Sequence, residues 1–429
     1  LPMTAMLGNT HFPVVIVGGG QAGLSMSYCL RTAGIRHLVL EKQTAMHTWR
    51  SQRWDSFCLV TPNWQCALPD YPYRGDDPHG FMVKDEILAY LDGFARHVQA
   101  PMLENTAVRR LSRESGGYRI ATTRGEFTAD HVVVASGGYH TPIVPRMAER
   151  LPDSVVQLHS AEYRSPAALP DGPVLVVGSG QSGAQIAEDL HLAGRKVFLA
   201  TGDAPRCARF YRGKDVVDWL AEMGYYEMPV EKHPLKEGVR DNTNHYVTGR
   251  DGGRDIDLRK FALEGMELFG LLEDFDGRCL RFAPNLAANL DHADGIYNGI
   301  NASIDKFIEK AGIDAPPCSV YDPVWSPAEE RTQLDVSAAG IGSVVWCIGY
   351  TPDFGWVDLP VFNGRGQPSH VRGVTALPGL YFLGLPWLHT WGSGRFSGVT
   401  RDARYLAERI QGAIVAGAQE RAPVAADAA

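Results

Sequence analysis

The feature that most constrains the fold is a segment that occurs twice, 160 residues apart. An apolar run at 14–17 precedes a GxGxxG motif at 18–23, and a second apolar run at 174–177 precedes the same motif at 178–183. Short runs of β-branched residues are typical of parallel strands that are buried on both faces. Each copy therefore predicts a strand, a glycine-rich turn, a helix and a second strand.

The spacing of these glycines suits a dinucleotide. The first glycine allows a tight turn, the second lets the backbone approach a pyrophosphate, and the third lets the helix pack closely on the strand. The pyrophosphate then lies at the positive end of the helix. One GxGxxG motif is weak evidence, but two copies with matching flanks disfavour an ordinary loop. The predicted contacts are Gly18, Gly20, Gln21, Ala22 and Gly23 in the first copy, and Gly178, Gly180, Gln181, Ser182 and Gly183 in the second.

The second strand of the first copy ends in an acidic residue. Glu41 follows Gly18 by 23 residues, and a carboxylate at this position accepts hydrogen bonds from a ribose 2′-hydroxyl. Because FAD has a free 2′-hydroxyl on its adenosine, the first copy is predicted to bind FAD. Glu41 and the adjacent Lys42 are predicted to contact it.

The second copy has Thr201 at the equivalent position, followed by several basic residues. A carboxylate would repel a 2′-phosphate, whereas arginine would bind it. This copy is therefore predicted to bind NADPH through Arg206 and Arg212, with NADH left open. The alternative is that these basic residues form a solvated loop or pair with Asp203 and Asp215.

Further apolar strands end in small residues, as expected where a strand passes beside a dinucleotide. One ends at Ala135, Ser136 and Gly137, and another leads into Cys347, Gly349 and Tyr350. A third ends at Gly384 before a predicted helix over 398–411, which suits the flavin end of FAD. These seven residues, Val108 and Thr201 are further predicted cofactor contacts.

The pattern predicts an α/β protein with two Rossmann-like dinucleotide-binding domains, in which the nicotinamide domain is inserted in the FAD domain. The FAD domain is predicted at residues 11–165 and 336–415. The inserted domain, with a helical insertion of its own, is predicted at 166–335, and residues 416–429 are predicted to be a disordered tail.

Composition excludes several other classes. The net charge of −8 argues against nucleic acid as a partner. No apolar run reaches the roughly 18 residues of a membrane span, and no signal peptide is evident, so a cytoplasmic location is expected. Seven cysteines without a CxxC pair indicate reduced thiols and disfavour a disulfide reductase. No metal-ligand spacing such as HExxH appears, so no metal is predicted.

Three segments outside the glycine motifs resemble the flavin-containing monooxygenases, closest to their bacterial CzcO-type branch. They are the tryptophan-rich stretch around Trp49 and Arg50, the run Thr61–Pro62–Asn63 with 68–72, and the segment 348–352. The family signature FxGxxxHxxxF is only partly present, since His159 and a terminal aromatic, Tyr163, remain. The Baeyer–Villiger version has Trp where Tyr163 stands, which disfavours that subclass.

The resemblance implies a reaction. In this family NADPH reduces FAD, and the reduced flavin and O2 form a C4a-(hydro)peroxyflavin that oxygenates a small organic substrate at a soft sulfur or nitrogen. It implies that Asn63 lies near the flavin C4a as the catalytic residue, that Trp49 and Arg50 contact FAD, and that His159 structures the linker between the domains. The cluster 387–391 would line the substrate side of the flavin or pack in the core.

Other activities stay open at this stage. They are Baeyer–Villiger oxygenation of a ketone, an NAD(P)H oxidase or reductase without oxygen insertion, and a redox-sensing flavoprotein with little turnover. A homodimer is possible. The substrate is not indicated, although the weakly patterned stretch 211–321 could cover the active site.

Overall fold

A computed structural model describes residues 10–421 and confirms the α/β class. The first part of the chain contains β1 (His11–Val17), α1 (Gln21–Thr32), β2 (His37–Leu40), α2 (His47–Ser51), β3 (Ala67–Leu68), β4 (Tyr71–Pro72), α3 (Lys84–Val98), β5 (Met102–Leu103), β6 (Val108–Glu114), β7 (Gly117–Thr122), β8 (Gly125–Val134) and β9 (Thr141–Pro142).

The middle of the chain contains β10 (Val156–His159), β11 (Val174–Val177), α4 (Gln181–Leu192), β12 (Val197–Ala200), β13 (Phe210–Tyr211), β14 (Lys214–Asp215), α5 (Val216–Glu222), α6 (Leu258–Leu263), β15 (Glu267–Phe269), β16 (Leu272–Phe275), β17 (Cys279–Phe282), α7 (Leu286–Ala311), β18 (Gln333–Asp335) and β19 (Ser343–Trp346). The last part contains β20 (Tyr350–Thr351), β21 (Leu380–Phe382) and α8 (Val399–Arg421).

Two sheets form the two halves of the molecule. The first has the order β5-β2-β1-β8-β7-β6, and β21 pairs with the end of β8. Its β5, β2, β1, β8 and β21 pair in parallel, while β6 and β7 extend it antiparallel. The second sheet, β10-β19-β11-β12-β15, is parallel throughout. A short ladder between β9 and β20 connects the two halves.

The predicted duplication is present in three dimensions. Val14 pairs with His37 in the first sheet, and Val174 pairs with Val197 in the second, which is the same register displaced by 160 residues. The helices after the glycine turns also end alike, since Gly34 and Gly194 both adopt positive φ (69° and 81°) beyond the last turn. Glycine has no Cβ to clash in this left-handed conformation, so both helices stop at the same point.

The predicted domain boundaries at 165/166 and 335/336 are wrong. Strand β10 pairs with β19 in the second sheet, with Val156 beside Ser343. The inserted domain therefore spans at least 156–346. The sequence did not indicate that β10 belongs to the inserted domain, because β10 is a short edge strand without a glycine motif.

The predicted tail also needs correction. Helix α8 continues to Arg421, so residues 416–421 are helical, while 422–429 lie outside the described residues. Helices α5, α6 and α7 lie in the weakly patterned stretch 211–321. Among residues 10–421, no helix combines the length and the apolar character needed to cross a bilayer.

Candidate functional site

The glycine turns bring the predicted crossing strands against the two helix N-termini. A Cβ on Gly18 would lie 2.4 Å from the carbonyl oxygen of Ala135, and a Cβ on Gly178 would lie 2.3 Å from that of Cys347. The third glycine of each motif is equally constrained, because its Cβ would lie 1.8 Å from the carbonyl oxygen of the first. Only glycine fits at these positions, so Ala135 and Cys347 lie beside the turns as expected.

The middle glycines are much less constrained. Among residues 10–421, no atom lies within 4 Å of a Cβ built on Gly20, and a Cβ on Gly180 would meet only the Thr243 methyl, at 3.3 Å. Backbone N–H groups at the start of α1 and α4 are therefore approachable by a pyrophosphate. The residues Gln21, Ala22, Gln181 and Ser182 lie in these first turns.

Glu41 lies at the end of β2 as predicted. Its Oε2 accepts a hydrogen bond from the N–H of Gly19 at 2.6 Å, and its Oε1 accepts one from the N–H of Gln43 at 2.8 Å. The side chain is partly exposed, and each carboxylate oxygen keeps a lone pair for a ribose hydroxyl. Lys42 beside it is exposed, and the N–H of Thr106 donates to the Glu41 carbonyl at 2.8 Å. Val108, the first residue of β6, follows this loop.

Several predicted contacts of the first half converge near α1. Trp49 Nε1 donates to Gln21 Oε1 at 3.3 Å, and the Trp49 ring lies 5.1 Å from that of Phe396. A Cβ on Gly384 would lie 2.6 Å from the Cβ of Ala22, so the end of β21 packs against the helix start.

The end of β8 also suits a bound cofactor. The hydroxyl of Ser136 is buried and has no hydrogen-bond partner in the described chain, and Gly137 adopts a positive φ of 75°. A buried polar atom without a partner is a site where an unplaced ligand atom can bind. Arg50, in contrast, is ion-paired with Asp92 and partly exposed, so its contact with FAD stays a prediction.

The side chain of Thr201 points in a different direction from that of Glu41 and also lacks its charge. It is 2% exposed, its hydroxyl donates to the Phe269 carbonyl at 2.7 Å, and the same hydroxyl accepts from Asn289 Nδ2 at 3.2 Å. This side chain faces the core instead of a nucleotide. The N–H of Gly202 donates to the Ser179 hydroxyl at 3.0 Å. In the first half, the corresponding link between turn and strand end is the bond from the Gly19 N–H to the Glu41 carboxylate.

The structure does not bring Arg206 to a 2′-phosphate site. Its guanidinium is 2% exposed, donates to Asp294 Oδ1 at 3.0 Å, and lies 4.3 and 4.4 Å from the ring centres of Tyr297 and Tyr321. The expected role of Arg206 is corrected accordingly: it is a core residue that neutralises a buried carboxylate.

Arg212 is engaged in a similar way. It donates to Asp305 Oδ1 at 2.9 Å and to the Pro316 carbonyl at 2.7 Å, with 15% of its side chain exposed. Both guanidinium contacts tie β13 to the end of α7 and the segment after it. A 2′-phosphate would have to displace them, so the structure gives no support to Arg212 as its ligand.

Asn63 lies buried in a loop and is already bonded. Its Nδ2 donates to the Asp77 carbonyl at 2.9 Å, and its Oδ1 accepts from the Met82 N–H at 2.7 Å. The side chain therefore fixes the loop 77–82. One amide hydrogen stays available, so a catalytic role for Asn63 is a proposal that this geometry weakens.

The segment after β19 holds the two halves together. Buried His159 donates from Nε2 to the Gly349 carbonyl at 3.0 Å and accepts at Nδ1 from the Ala161 N–H at 3.2 Å. Its ring lies 4.9 Å from that of Tyr350, which pairs with Pro142 between the halves. Burial lowers the pKa of His159, which keeps the imidazole neutral. His159 is thus placed as a linker residue.

Sequence reasoning did not assign Arg53, although it belongs to the tryptophan-rich stretch. Its guanidinium lies 4.5 Å from the Trp49 ring and 5.4 Å from the Phe57 ring, and burial lowers its pKa. Its one hydrogen-bond acceptor in the described chain is the Gln52 carbonyl. The signal available in the sequence was its position four residues after Trp49. In the described structure it has no carboxylate partner, which makes it a candidate anion contact. Within residues 10–421, no group of three or more His, Cys, Asp or Glu side chains could hold a metal ion.

Comparisons with known proteins agree with this architecture. A family model described as pyridine nucleotide-disulphide oxidoreductase matches residues 15–227. An uncharacterized CzcO-like oxidoreductase of Geobacillus kaustophilus is 32% identical over 403 residues, covering 92% of this chain and 97% of that protein.

Two more distant similarities concern monooxygenases. A probable indole-3-pyruvate monooxygenase, YUCCA1 of Arabidopsis thaliana, is 34% identical over 188 residues, 42% of this chain and 44% of that protein. A solved flavin-containing monooxygenase of Stenotrophomonas maltophilia has a TM-score of 0.65 at 20% identity, covering 94% of this chain and 99% of that one. These findings confirm the resemblance and the two-domain dinucleotide-binding fold.

Proposed function

Because the chain belongs to the CzcO-like oxidoreductases, we propose that it is an FAD-dependent, NADPH-utilising monooxygenase. It would transfer one oxygen atom of O2 to a soft sulfur or nitrogen of a small organic substrate. One observation carries the proposal: a single chain holds two open glycine turns that differ at the strand end, with Glu41 at one and buried Thr201 at the other.

The chain's own residues would position FAD in the first half. The N–H groups at the start of α1 would bind the pyrophosphate, and the Glu41 carboxylate would accept the ribose hydroxyls. Trp49, held by Gln21, would pack against the cofactor near Phe396. When bound, FAD supplies electron transfer from the nicotinamide and reaction with O2, while the protein supplies orientation and excludes water.

The second half would hold the nicotinamide dinucleotide on α4. The backbone N–H groups at the Gly180 turn, which has Thr243 beside it, would bind the pyrophosphate. NADPH is proposed on family resemblance alone, since Arg206 and Arg212 are ion-paired within the chain and do not support binding of a 2′-phosphate.

The cysteines argue for O2 as the electron acceptor instead of a disulfide. All seven are free and none forms a CxxC pair. Burial raises the pKa of Cys58 to about 11 and that of Cys66 to about 12. These thiols are protonated at neutral pH, whereas disulfide exchange requires a thiolate.

Isotope incorporation tests the proposal. The purified holoenzyme would be supplied with NADPH, ¹⁸O2 and a panel of sulfides, tertiary amines and ketones. We expect one ¹⁸O atom in an S- or N-oxide for each NADPH consumed. If H2O2 accounts for all NADPH with every substrate, the protein is an oxidase, and a labelled ester from a ketone would instead show Baeyer–Villiger chemistry.

A further inference from the structure

A segment of the inserted domain crosses the C-terminal part of the FAD domain. We call residues 225–247 the strap. The N–H of Val230 donates to the His389 carbonyl at 2.7 Å, and Arg240 Nε donates to the Trp387 carbonyl at 3.0 Å. The strap therefore lies directly over the loop between β21 and α8.

Arg395 lies beneath the strap, is partly exposed, and forms no ion pair with a carboxylate of residues 10–421. Its Nη2 donates to Asn244 Oδ1 at 2.7 Å, and its guanidinium lies 3.9 Å from the centre of the Trp391 ring. The titratable side chains that act on its guanidinium are Tyr139, Tyr225 and Tyr226. Burial lowers the pKa of Arg395, so the surroundings disfavour its charge.

Three arginines of the inserted domain, each with a side chain at most 2% exposed, are paired with carboxylates. Arg206 and Arg259 share Asp294, and Arg209 binds Asp215. A buried cation is costly unless an anion compensates it. Among the described residues Arg395 has no such partner, and it is partly exposed, so its guanidinium is accessible to an anion that the chain itself does not provide.

Aromatic side chains surround this guanidinium. The Tyr226 and Trp391 ring centres are 4.6 Å apart, and those of Tyr225 and Tyr226 are 5.5 Å apart. Both tyrosines and Trp391 are partly exposed, and Tyr139 is 61% exposed. Partly exposed ring faces beside a cation suit a planar ligand that carries a negative charge.

The cluster also lies where the two halves meet. Thr243, next to Asn244, approaches the Gly180 turn, and the carbonyl of Arg395 accepts from the Val399 N–H at the start of α8 at 3.3 Å. Tyr139 stacks edge-on against Tyr350 at 6.0 Å, directly after the two crossing strands. The cluster therefore lies beside the Gly180 turn and at the contact between the two halves.

We propose that Arg395 and the rings of Tyr225, Tyr226 and Trp391 bind the substrate, and that this substrate is an aromatic compound with a carboxylate. The proposal rests on the monooxygenase function and specifies its substrate class. For an aryl thioether acid the balanced reaction is sulfide, O2, NADPH and H⁺ to sulfoxide, NADP⁺ and water.

Binding without turnover tests this substrate class. The holoenzyme, without NADPH, would be titrated with (phenylthio)acetate and with its uncharged amide. We expect the acid to bind at least 10-fold more tightly. Arg395→Gln should abolish the preference while leaving the affinity for the amide unchanged, and Arg395→Lys should restore part of it. Because no oxygen transfer is measured, failure of the proposed reaction leaves this result interpretable.

A matched control is Arg365→Gln, which removes an exposed arginine paired with Asp241 of the strap. It should keep the preference for the acid. The proposal is overturned if Arg395→Gln and Arg395→Lys, both folded by thermal melting, bind acid and amide in the wild-type ratio. It is overturned equally if they weaken NADP⁺ binding or shift the flavin spectrum instead, since the anion would then belong to a cofactor.

Discussion

The two dinucleotide-binding halves share a backbone but differ at one strand end. Both have the same strand register and the same clash pattern at their glycines. Glu41 presents its carboxylate beside the first turn, whereas Thr201 points inward to the Phe269 carbonyl. Both halves therefore have the backbone of a dinucleotide site, and we propose that the side chain at the end of the second strand decides which cofactor each half binds.

The largest effect is expected at a buried arginine of the second half. Arg206→Met should lower the free energy of unfolding by about 3 kcal/mol, because it leaves buried Asp294 with one fewer partner. The ratio of kcat/KM for NADPH to that for NADH should not change. Chemical denaturation and steady-state kinetics measure both effects.

The control for this variant is Arg110→Met, which removes an exposed arginine paired with Asp358. It should cost below about 1 kcal/mol. A selective loss of NADPH against NADH in Arg206→Met would show that the arginine binds the 2′-phosphate after all.

The carboxylate of the first half is the next test. Glu41→Gln should weaken FAD binding by about 10- to 100-fold, since hydrogen bonds to a charged group contribute about 1.5–3 kcal/mol. Fluorescence titration of the apoprotein with FAD measures the effect. Glu126→Gln, at an exposed pair with Arg119 in the same sheet, is the control. Equal FAD affinity in both variants would remove Glu41 from the ribose site.

Thr201 should behave in the opposite way. Thr201→Val removes the hydroxyl bonded to Phe269 and Asn289, which should cost about 1–2 kcal/mol of stability. The Kd for NADP⁺ should stay within about twofold, because the side chain faces the core. A large rise in that Kd with unchanged stability would contradict the orientation seen here.

The smallest expected effect is a pH dependence at the linker between the halves. The pKa of His159 lies below its ordinary 6.5 because burial disfavours the imidazolium. Its stabilising contribution is therefore complete above pH 6.5 and is lost as the pH falls through the lowered pKa. His159→Gln should reduce the loss of unfolding free energy at acid pH by about 1 kcal/mol. Tm measured as a function of pH shows this as a smaller decrease on the acid side. Superimposable pH profiles would argue against this role.

The sequence predicted the features that depend on local pattern. The glycine turns, the strand register and the helix ends follow from steric rules within each repeat. The roles of Arg206 and Thr201 could not be predicted, because their partners Asp294 and Asn289 are each 88 residues away on α7. The hydrogen bonds of Asn63 could not be predicted for a related reason, since its amide is bonded by backbone groups 14 and 19 residues further on.

One paired measurement tests the assignment of the two halves most directly. Gly20 and Gly180 have φ values of −82° and −71°, which other residues adopt. Among residues 10–421, a Cβ on Gly20 would meet no atom within 4 Å, and one on Gly180 would meet the Thr243 methyl at 3.3 Å, the end of a side chain that can move. Valine at either position should preserve the fold and obstruct the pyrophosphate. We predict that Gly20→Val is purified without FAD, whereas Gly180→Val keeps FAD that NADPH no longer reduces under anaerobic conditions. Loss of FAD from Gly180→Val, with FAD retained in Gly20→Val, would contradict the account.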